Sequence, residues 1–301
     1  MYNETLFSEQ KAWSEKAIFL MRDLLKLMQP IATYELWDSE QKDTLGRLLT
    51  ASARSTESTL LLTAYGQLWD AEITLRSTCE SSLKFCYLLQ KKDSFEDRFR
   101  EYSTDQFFSG LLKDDAKIRD LLDALGNPTG YEWKPFTDRL LSESEKEKIK
   151  NEFNSGDQRK IDTRWGFTGM IREFNKDNDP LLKNLIGIAH GYSIASHIQH
   201  ADYQGVSLPI DRDNRDAENR STMHSAHLSR LISDCFSFFL IRLMAGYRFV
   251  GHSQSDVTLA QSKIYELMSS FKNPNETWMK VEYGLKPNNS DATECQHKQT
   301  Q

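Results

Sequence analysis

Arg76 and Glu80 form the first pattern in the sequence that could do chemistry. They are four positions apart, which places them on one helix face within ion-pair distance. Leu75, Cys79 and Leu83 surround them, so we expect the pair at the edge of a core. A salt bridge at that edge would explain the pair without any function. In a functional site, Arg76 would stabilise charge on a phosphate, and Glu80 would orient either the arginine or a histidine.

Tyr192, Ser196 and His200 form a second polar row, because a spacing of four and four aligns them on one helix face. His197 directly follows Ser196. Buried polar groups need partners, so we expect this row to face the first pair or a ligand. In such a site His200 would act as a general base or acid near neutral pH. Tyr192, Ser196 and His197 would contact the substrate.

Arg220 and His227 offer a competing site at the start of a later helix, where six residues separate them. In this alternative Arg220 would stabilise the phosphate and His227 would transfer the proton. Five of the seven histidines fall between His190 and His227. That concentration leaves two interpretations open, a functional cluster or helix histidines that are simply hydrogen-bonded to main-chain groups or carboxylates.

A metal site is another interpretation of the same histidines. They form two His-x2-His pairs, His197 with His200 and His224 with His227. Glu80 or Asp202 could complete a ligand set. The His-x2-His spacing is not specific, and neither a His-Glu-x2-His motif nor a pair of cysteine ligands accompanies it. We therefore predict a site that uses no metal and no other cofactor.

Composition and charge exclude several classes of function. The net charge is −6 and the pI is near 5.7, so binding of long duplex DNA is not expected and any nucleic-acid contact must be local. The sequence has no phosphate-binding loop, no dinucleotide-binding glycine motif and no Gly-x-Ser-x-Gly motif. No apolar run has the length of a membrane span, and the first residues do not resemble a signal peptide. The four cysteines lack Cys-x2-Cys spacing and fit free thiols in a reducing cytoplasm.

The hydrophobic pattern predicts an all-α fold, since strand signals are nearly absent. We predict one multi-helix bundle over residues 1–275 and a flexible tail at 276–301. A polar helical insertion is expected at about 127–165, with a Ser-x-x-Glu capping box within 142–148. The segment 202–219 is expected to be a loop. The helix at about 221–250 is apolar on more than one face, so it must be enclosed or shared between subunits.

The two polar rows together resemble a family of bacterial helical proteins of unknown function. Its recurring pattern is Leu-Arg-x3-Glu on one helix and Tyr-x3-Ser-x3-His on a later one. The matching positions are Leu75, Arg76 and Glu80, followed by Tyr192, Ser196 and His200. This resemblance extends over about residues 40–250. It implies a setting in mobile elements or phage defence, where members of that family recur.

Arg220 and His227 also resemble the Arg-x4-6-His signature of HEPN domains (higher eukaryote and prokaryote nucleotide-binding). Those domains are helical bundles and often metal-independent ribonucleases that place their active residues at a two-fold interface. The resemblance implies a HEPN-like bundle, RNA as the substrate and a homodimer.

The leading hypothesis is therefore a HEPN-like cytoplasmic effector of phage defence or stress response, in which an arginine and a histidine cleave RNA without a metal. The expected partners are RNA, a second copy of the chain and a protein from the same defence operon, but neither a membrane nor long duplex DNA. The alternative is a non-catalytic sensor, antitoxin-like partner or homo-oligomeric scaffold. A catalytic site would place its residues in an accessible cleft, whereas a binding module would show a closed and satisfied network.

Overall fold

A computed structural model describes residues 4–152 and 155–284, and this part of the chain is all-α, without a β-strand. Its fifteen α-helices are α1 (Glu4–Leu25), α2 (Gln29–Ala32), α3 (Ser39–Ala64), α4 (Leu68–Leu88), α5 (Phe95–Arg100), α6 (Gln106–Ala124), α7 (Lys134–Thr137), α8 (Glu143–Glu152), α9 (Ser155–Trp165), α10 (Phe167–Lys176), α11 (Ala189–His200), α12 (Tyr203–Asp213), α13 (Ala217–Val250), α14 (Ser255–Ser269) and α15 (Pro274–Tyr283). Single 3₁₀ turns occur at Lys26–Met28, Lys92–Ser94 and Tyr131–Trp133. A 3₁₀ segment at Lys183–Ile188 leads into α11, and a π-helical turn at Glu101–Asp105 joins α5 to α6.

Helix α13 is the central element of the bundle. Its 34 residues span about 50 Å. Asp216 caps its start by accepting a hydrogen bond from the main-chain nitrogen of Asn219 at 2.9 Å, and Gly251, at φ +74°, ends it. Helices α1, α3, α4, α14 and α15 pack against α13. Its apolar faces are therefore enclosed within one chain, which is one of the two arrangements that the sequence left open.

Helix α4 lies between α3 and α13 and also contacts α11. Its buried side chains include Leu75, Cys79 and Leu83, which belong to the same apolar cluster as Phe236 and Phe239 of α13. This placement brings the Arg76 row of α4 against the Tyr192 row of α11. Cys79, Cys86 and Cys235 are buried free thiols, whereas Cys295 lies outside the described residues.

The described residues of the predicted insertion at 127–165 contain the helices α7, α8 and α9, as expected. The capping box is present, because the main-chain nitrogen of Ser142 donates to Glu145 at 2.8 Å and that of Glu145 donates to the Ser142 hydroxyl at 3.3 Å. The end of the segment, however, enters the core. Trp165 is buried and donates from Nε1 to Glu101 at 2.8 Å.

Two predicted boundaries differ from the structure. The expected loop at 202–219 contains α12, which Asp202 caps by accepting from the main-chain nitrogen of Gly205 at 2.9 Å. A Cβ at Gly205 would lie 2.1 Å from the main-chain oxygen of His197, so glycine permits the close approach of α11 and α12. The predicted tail at 276–301 begins inside α15, which packs on α13; the remainder, 285–301, lies outside the described residues. No helix in the described part of the chain is long and apolar enough to cross a bilayer.

Candidate functional site

Arg76, Glu80 and Tyr192 form one hydrogen-bonded group between α4 and α11. Arg76 donates from Nε to Glu80 Oε1 at 3.1 Å and from Nη2 to the Tyr192 hydroxyl at 3.0 Å. Tyr192 in turn donates to Glu80 Oε1 at 2.7 Å. The two polar rows predicted from sequence therefore meet at these three residues, and the guanidinium of Arg76 is fixed along two of its edges.

Aromatic contacts hold the same group in place. The Tyr192 ring stacks on Phe167 of α10 with centroids 3.9 Å apart, and the Arg76 guanidinium carbon lies 4.4 Å from the Tyr192 centroid. Burial and the hydrogen bond to Glu80 raise the pKa of Tyr192 to about 12. Burial opposes the charge on Arg76, but its hydrogen bonds to Glu80 and Tyr192 outweigh that effect and raise the pKa of Arg76. Tyr192 thus remains a neutral donor and Arg76 remains charged.

A cleft of about 390 Å³ opens beside Arg76 between α4, α13 and the start of α11. Its polar lining comprises Arg76, Glu72, His190, Tyr192, Arg230 and Asp234. Its apolar lining includes Leu75, Cys79 and Phe238. Arg76 Nη1 is buried and has no hydrogen-bond acceptor among residues 4–152 and 155–284. The cleft, which we call the Arg76 cleft, therefore presents a fixed cation with an unused donor beside an apolar wall.

The lining of the Arg76 cleft also includes an ion network from α4 and α13. Glu72 accepts hydrogen bonds from Arg230 and from His227, whose Nε2 lies 2.7 Å from Glu72 Oε1. Arg230 also donates from Nη1 to Asp234 at 2.8 Å. Burial raises the pKa of Asp234 despite Arg230. Burial lowers the pKa of His227 to about 4, so this imidazole is neutral near pH 7.

The structure places the rest of the second row away from the Arg76 cleft. His200 ends α11 with an exposed side chain, eight residues and so about 12 Å along the helix from Tyr192. Neither His200 nor Ser196 lines the cleft. His197 lies 2.6 Å from Asp202, Nδ1 to Oδ2, and helps to join α11 to α12. The expectation that His200 and Ser196 would meet Arg76 is therefore wrong.

Arg220 and His227 also lie apart from each other. They are seven positions apart on α13, which is about 10 Å along the helix. Arg220 donates to the main-chain oxygen of Asp213 at 3.2 Å and lines a different pocket, together with His224. The two residues thus do not share one cleft, although the Glu72 partner of His227 belongs to the Arg76 cleft.

The metal alternative has no support in the described geometry. His224 is hydrogen-bonded to Gln10, Nε2 to Oε1 at 2.7 Å, and His227 to Glu72. Among residues 4–152 and 155–284, no group of three or more His, Cys, Asp or Glu side chains is arranged to hold a metal ion.

The sequence did not indicate four polar residues of the Arg76 cleft as site residues: Glu72, His190, Arg230 and Asp234. His190 precedes Tyr192 by two positions and is exposed at the cleft. It belongs to the histidine cluster that the sequence revealed. On α13, Arg230 and Asp234 are spaced four apart, as Arg76 and Glu80 are on α4. This i,i+4 spacing of opposite charges could have identified them from the sequence.

A family model described as "Family of unknown function (DUF5677)" matches residues 42–218, more than half of the chain. The chain therefore belongs to this family. The matched region contains Arg76, Glu80, His190 and Tyr192, whereas Arg220 and His227 follow it. No curated protein and no solved structure matches the chain significantly.

Proposed function

We propose that this protein is a helical effector that binds RNA in the Arg76 cleft and cleaves it without a metal, in phage defence or a related stress response. The observation that carries the proposal is the guanidinium of Arg76. Its Nε and Nη2 are held by Glu80 and Tyr192, while its buried Nη1 has no acceptor in the described part of the chain. A phosphate oxygen is the acceptor that a fixed guanidinium favours.

His190 takes the proton-transfer role in this proposal, in place of His200 and His227. It lines the Arg76 cleft and is exposed, so its imidazole can reach the 2′-hydroxyl of a bound ribose and exchange protons with water. His190 takes the proton of the 2′-hydroxyl, the 2′-oxygen attacks the phosphorus, and the bond from phosphorus to the 5′-oxygen breaks, while water donates a proton to the leaving 5′-oxygen. Arg76 stabilises the negative charge that develops on the phosphate during this step. Tyr192 and Glu80 keep the guanidinium in position and do not exchange protons themselves.

The dimensions of the Arg76 cleft favour single-stranded RNA. A volume of about 390 Å³ holds one nucleotide rather than a duplex. The apolar wall formed by Leu75, Cys79 and Phe238 suits an unstacked base. A net charge of −6 is compatible with such a local contact, since it does not require a broad basic surface. The setting in phage defence comes from the sequence resemblance.

A direct test is to incubate the protein with a labelled single-stranded RNA in the presence of EDTA. We expect fragments that end in a 2′,3′-cyclic phosphate. Arg76→Gln and His190→Ala should each slow cleavage by about 100-fold or more. Arg47→Gln is the matched control, because Arg47 is an exposed arginine paired with Asp43 at i,i+4. Equal cleavage by wild type and Arg76→Gln, with both proteins folded, would remove the proposal.

A non-catalytic binding module is the second candidate. The mutual hydrogen bonds of Arg76, Glu80 and Tyr192 favour it, because they form a nearly closed network. The same experiment separates the two functions. RNA that binds in an Arg76-dependent manner but remains intact indicates a binding module. RNA that neither binds nor breaks excludes both RNA-directed roles.

A further inference from the structure

A second pocket, of about 750 Å³, lies between the start of α1, the α3–α4 turn and the junction of α12 with α13. Its lining includes Arg212, Arg220, His224, Gln10 and Tyr65, and it shares no lining residue with the Arg76 cleft. We call it the Arg212 pocket. The function proposed above does not use it.

Two arginines approach this pocket with unused hydrogen-bond donors. Arg212 is 13% exposed, and its guanidinium carbon lies 5.3 Å from the Trp69 ring centroid. Its Nε reaches Asp213 only at 3.4 Å, and its buried Nη1 has no acceptor within the described ranges. Arg220 donates from Nη1 to a main-chain oxygen at 3.2 Å. A pair of guanidiniums with free donors is the chemistry that binds a phosphate group.

The remaining groups of the Arg212 pocket are not simply basic. Burial and the nearby Arg212 lower the pKa of His224 to about 4, so it adds no charge near pH 7. The carboxylates of Glu4 and Asp213 also line the pocket and would repel a bare anion. Carboxylates can accept hydrogen bonds from sugar hydroxyls, however. Tyr65, which is 67% exposed, offers an aromatic face at the same pocket.

We infer that the Arg212 pocket binds a nucleotide, with the phosphate on Arg212 and Arg220, the ribose hydroxyls on Glu4 or Asp213, and the base against Tyr65. Each chemical part of a nucleotide has a matching group there: cations for phosphate, carboxylates for hydroxyls and an aromatic ring for a base. The inference is independent of RNA cleavage, because it concerns a different pocket.

The test is calorimetric titration of the full chain with adenosine monophosphate, inorganic phosphate and adenosine. We expect the monophosphate to bind more tightly than either of its parts. Arg220→Gln should weaken both phosphate and the monophosphate, the latter by about tenfold or more. Tyr65→Ala should weaken the monophosphate and adenosine but not phosphate. Arg47→Gln, at an exposed arginine that pairs with Asp43 and lines neither pocket, is the matched control and should change none of these affinities.

Four outcomes would overturn the inference. One is no binding of any probe at millimolar concentration. Another is unchanged affinity in Arg220→Gln. A third is loss of binding in Arg76→Gln alone, which would place the nucleotide in the Arg76 cleft. The fourth is equal binding of phosphate and monophosphate with no effect of Tyr65→Ala, which would leave an anion site only. Thermal unfolding of each variant establishes that it is folded. Arg220 is substituted because its side chain is only half-buried, so its replacement should leave the fold intact.

Discussion

His227 reaches the Arg76 cleft through Glu72: its Nε2 lies 2.7 Å from Glu72 Oε1, an oxygen that also accepts from Arg230. Glu72 and Arg230 both line the cleft. On its other side, the His227 ring packs against Trp69 with centroids 4.7 Å apart. The histidine of the predicted Arg220/His227 site therefore supports a wall of the Arg76 cleft through Glu72 and is not itself part of the lining of that cleft.

This buried contact makes stability depend on pH. The pKa of His227 is about 4 in the folded protein and about 6.5 in an unfolded chain, so acid favours the unfolded state. The stabilisation by the neutral imidazole is complete above about pH 6.5 and is lost as the pH falls towards 4. We expect His227 to contribute roughly 2 kcal/mol to the decrease in unfolding free energy between pH 7 and pH 5. Urea unfolding at the two pH values measures this decrease.

His227→Gln should reduce that pH dependence, because an amide can donate to Glu72 without titrating. His224 has a similarly lowered pKa of about 4, so some dependence will remain in the single variant. His200→Gln, at an exposed position, is the control and should leave the slope unchanged. A His227→Gln protein with the pH slope of the wild type would show that His227 is not the titrating group.

The Tyr192 hydroxyl is expected to stabilise the contact between α4 and α11. Tyr192→Phe keeps the ring that stacks on Phe167 but removes the hydrogen bonds to Arg76 and Glu80. We predict a loss of about 1–2 kcal/mol in unfolding free energy, measured with urea. Tyr203→Phe, at a highly exposed position, should have no effect. Equal stability of Tyr192→Phe and wild type would mean that water replaces these hydrogen bonds without cost.

His200 and Ser196 should be dispensable for any function of the Arg76 cleft. Both lie on α11 outside its lining, and His200 is about 12 Å along the helix from Tyr192. We predict that His200→Ala and Ser196→Ala keep the RNA cleavage or binding of the wild type, whereas His190→Ala slows cleavage by about 100-fold or more. The measurement is the single-stranded RNA assay in EDTA. Loss of activity in a folded His200→Ala protein would show that the site extends along α11.

The sequence predicted the part of this site that depends on helical spacing. Arg76 and Glu80 at i,i+4 interact within one helix, so their pairing follows from local geometry. Tyr192, which contacts both residues, lies 116 positions after Arg76. The polar row around Tyr192 on a second helix indicated this contact. The sequence could not show that Ser196 and His200 lie outside the lining of the Arg76 cleft. A row of three residues at spacing four extends over about 12 Å, so one partner side chain on a neighbouring helix cannot contact all three residues.

The fold was predictable where helices bury an apolar face and less so where they do not. α13 was evident because its aromatic and aliphatic residues cluster. α12 was missed because its apolar side chains at Tyr203, Val206 and Ile210 are exposed and Pro209 lies within it. The start of α15 depends on Asn273, whose side chain caps the helix, and on Pro274 at its first turn. These local signals lie in a polar region that lacks strong periodicity.

Trp165 should be essential for stability although it belongs to the polar segment at 127–165. Its ring meets Tyr87 edge-on with centroids 4.9 Å apart, and its Nε1 donates to Glu101. Trp165→Ala is expected to cost about 3–5 kcal/mol of unfolding free energy. Tyr131→Ala, in the same segment but exposed, is the control and should cost little. Similar urea midpoints for the two variants would mean that this segment unfolds separately from the core.

The last prediction concerns a homodimer, and the exposed apolar side chains of α12 are where we expect its interface. The helix α13, whose apolar faces suggested a dimer, is covered within the chain by α1, α3, α4, α14 and α15. On α12, by contrast, Tyr203, Val206 and Ile210 are 89%, 46% and 59% exposed. Their i, i+3, i+7 spacing places them on one helix face. This face lies within the His190–His227 region, where we propose that two copies of the chain meet.

Light scattering should therefore give the mass of a dimer for the wild type. Ile210→Asp should give a monomer, because it would bury a charge at the centre of the interface, and its thermal unfolding should otherwise be unchanged. Leu259→Asp is the matched control, since Leu259 is also about half exposed but lies on α14. A wild-type monomer, or a dimer that both variants preserve, would contradict an interface at α12. Because α12 packs on α11, which lines the Arg76 cleft, a folded monomeric variant also shows whether RNA cleavage requires the second copy.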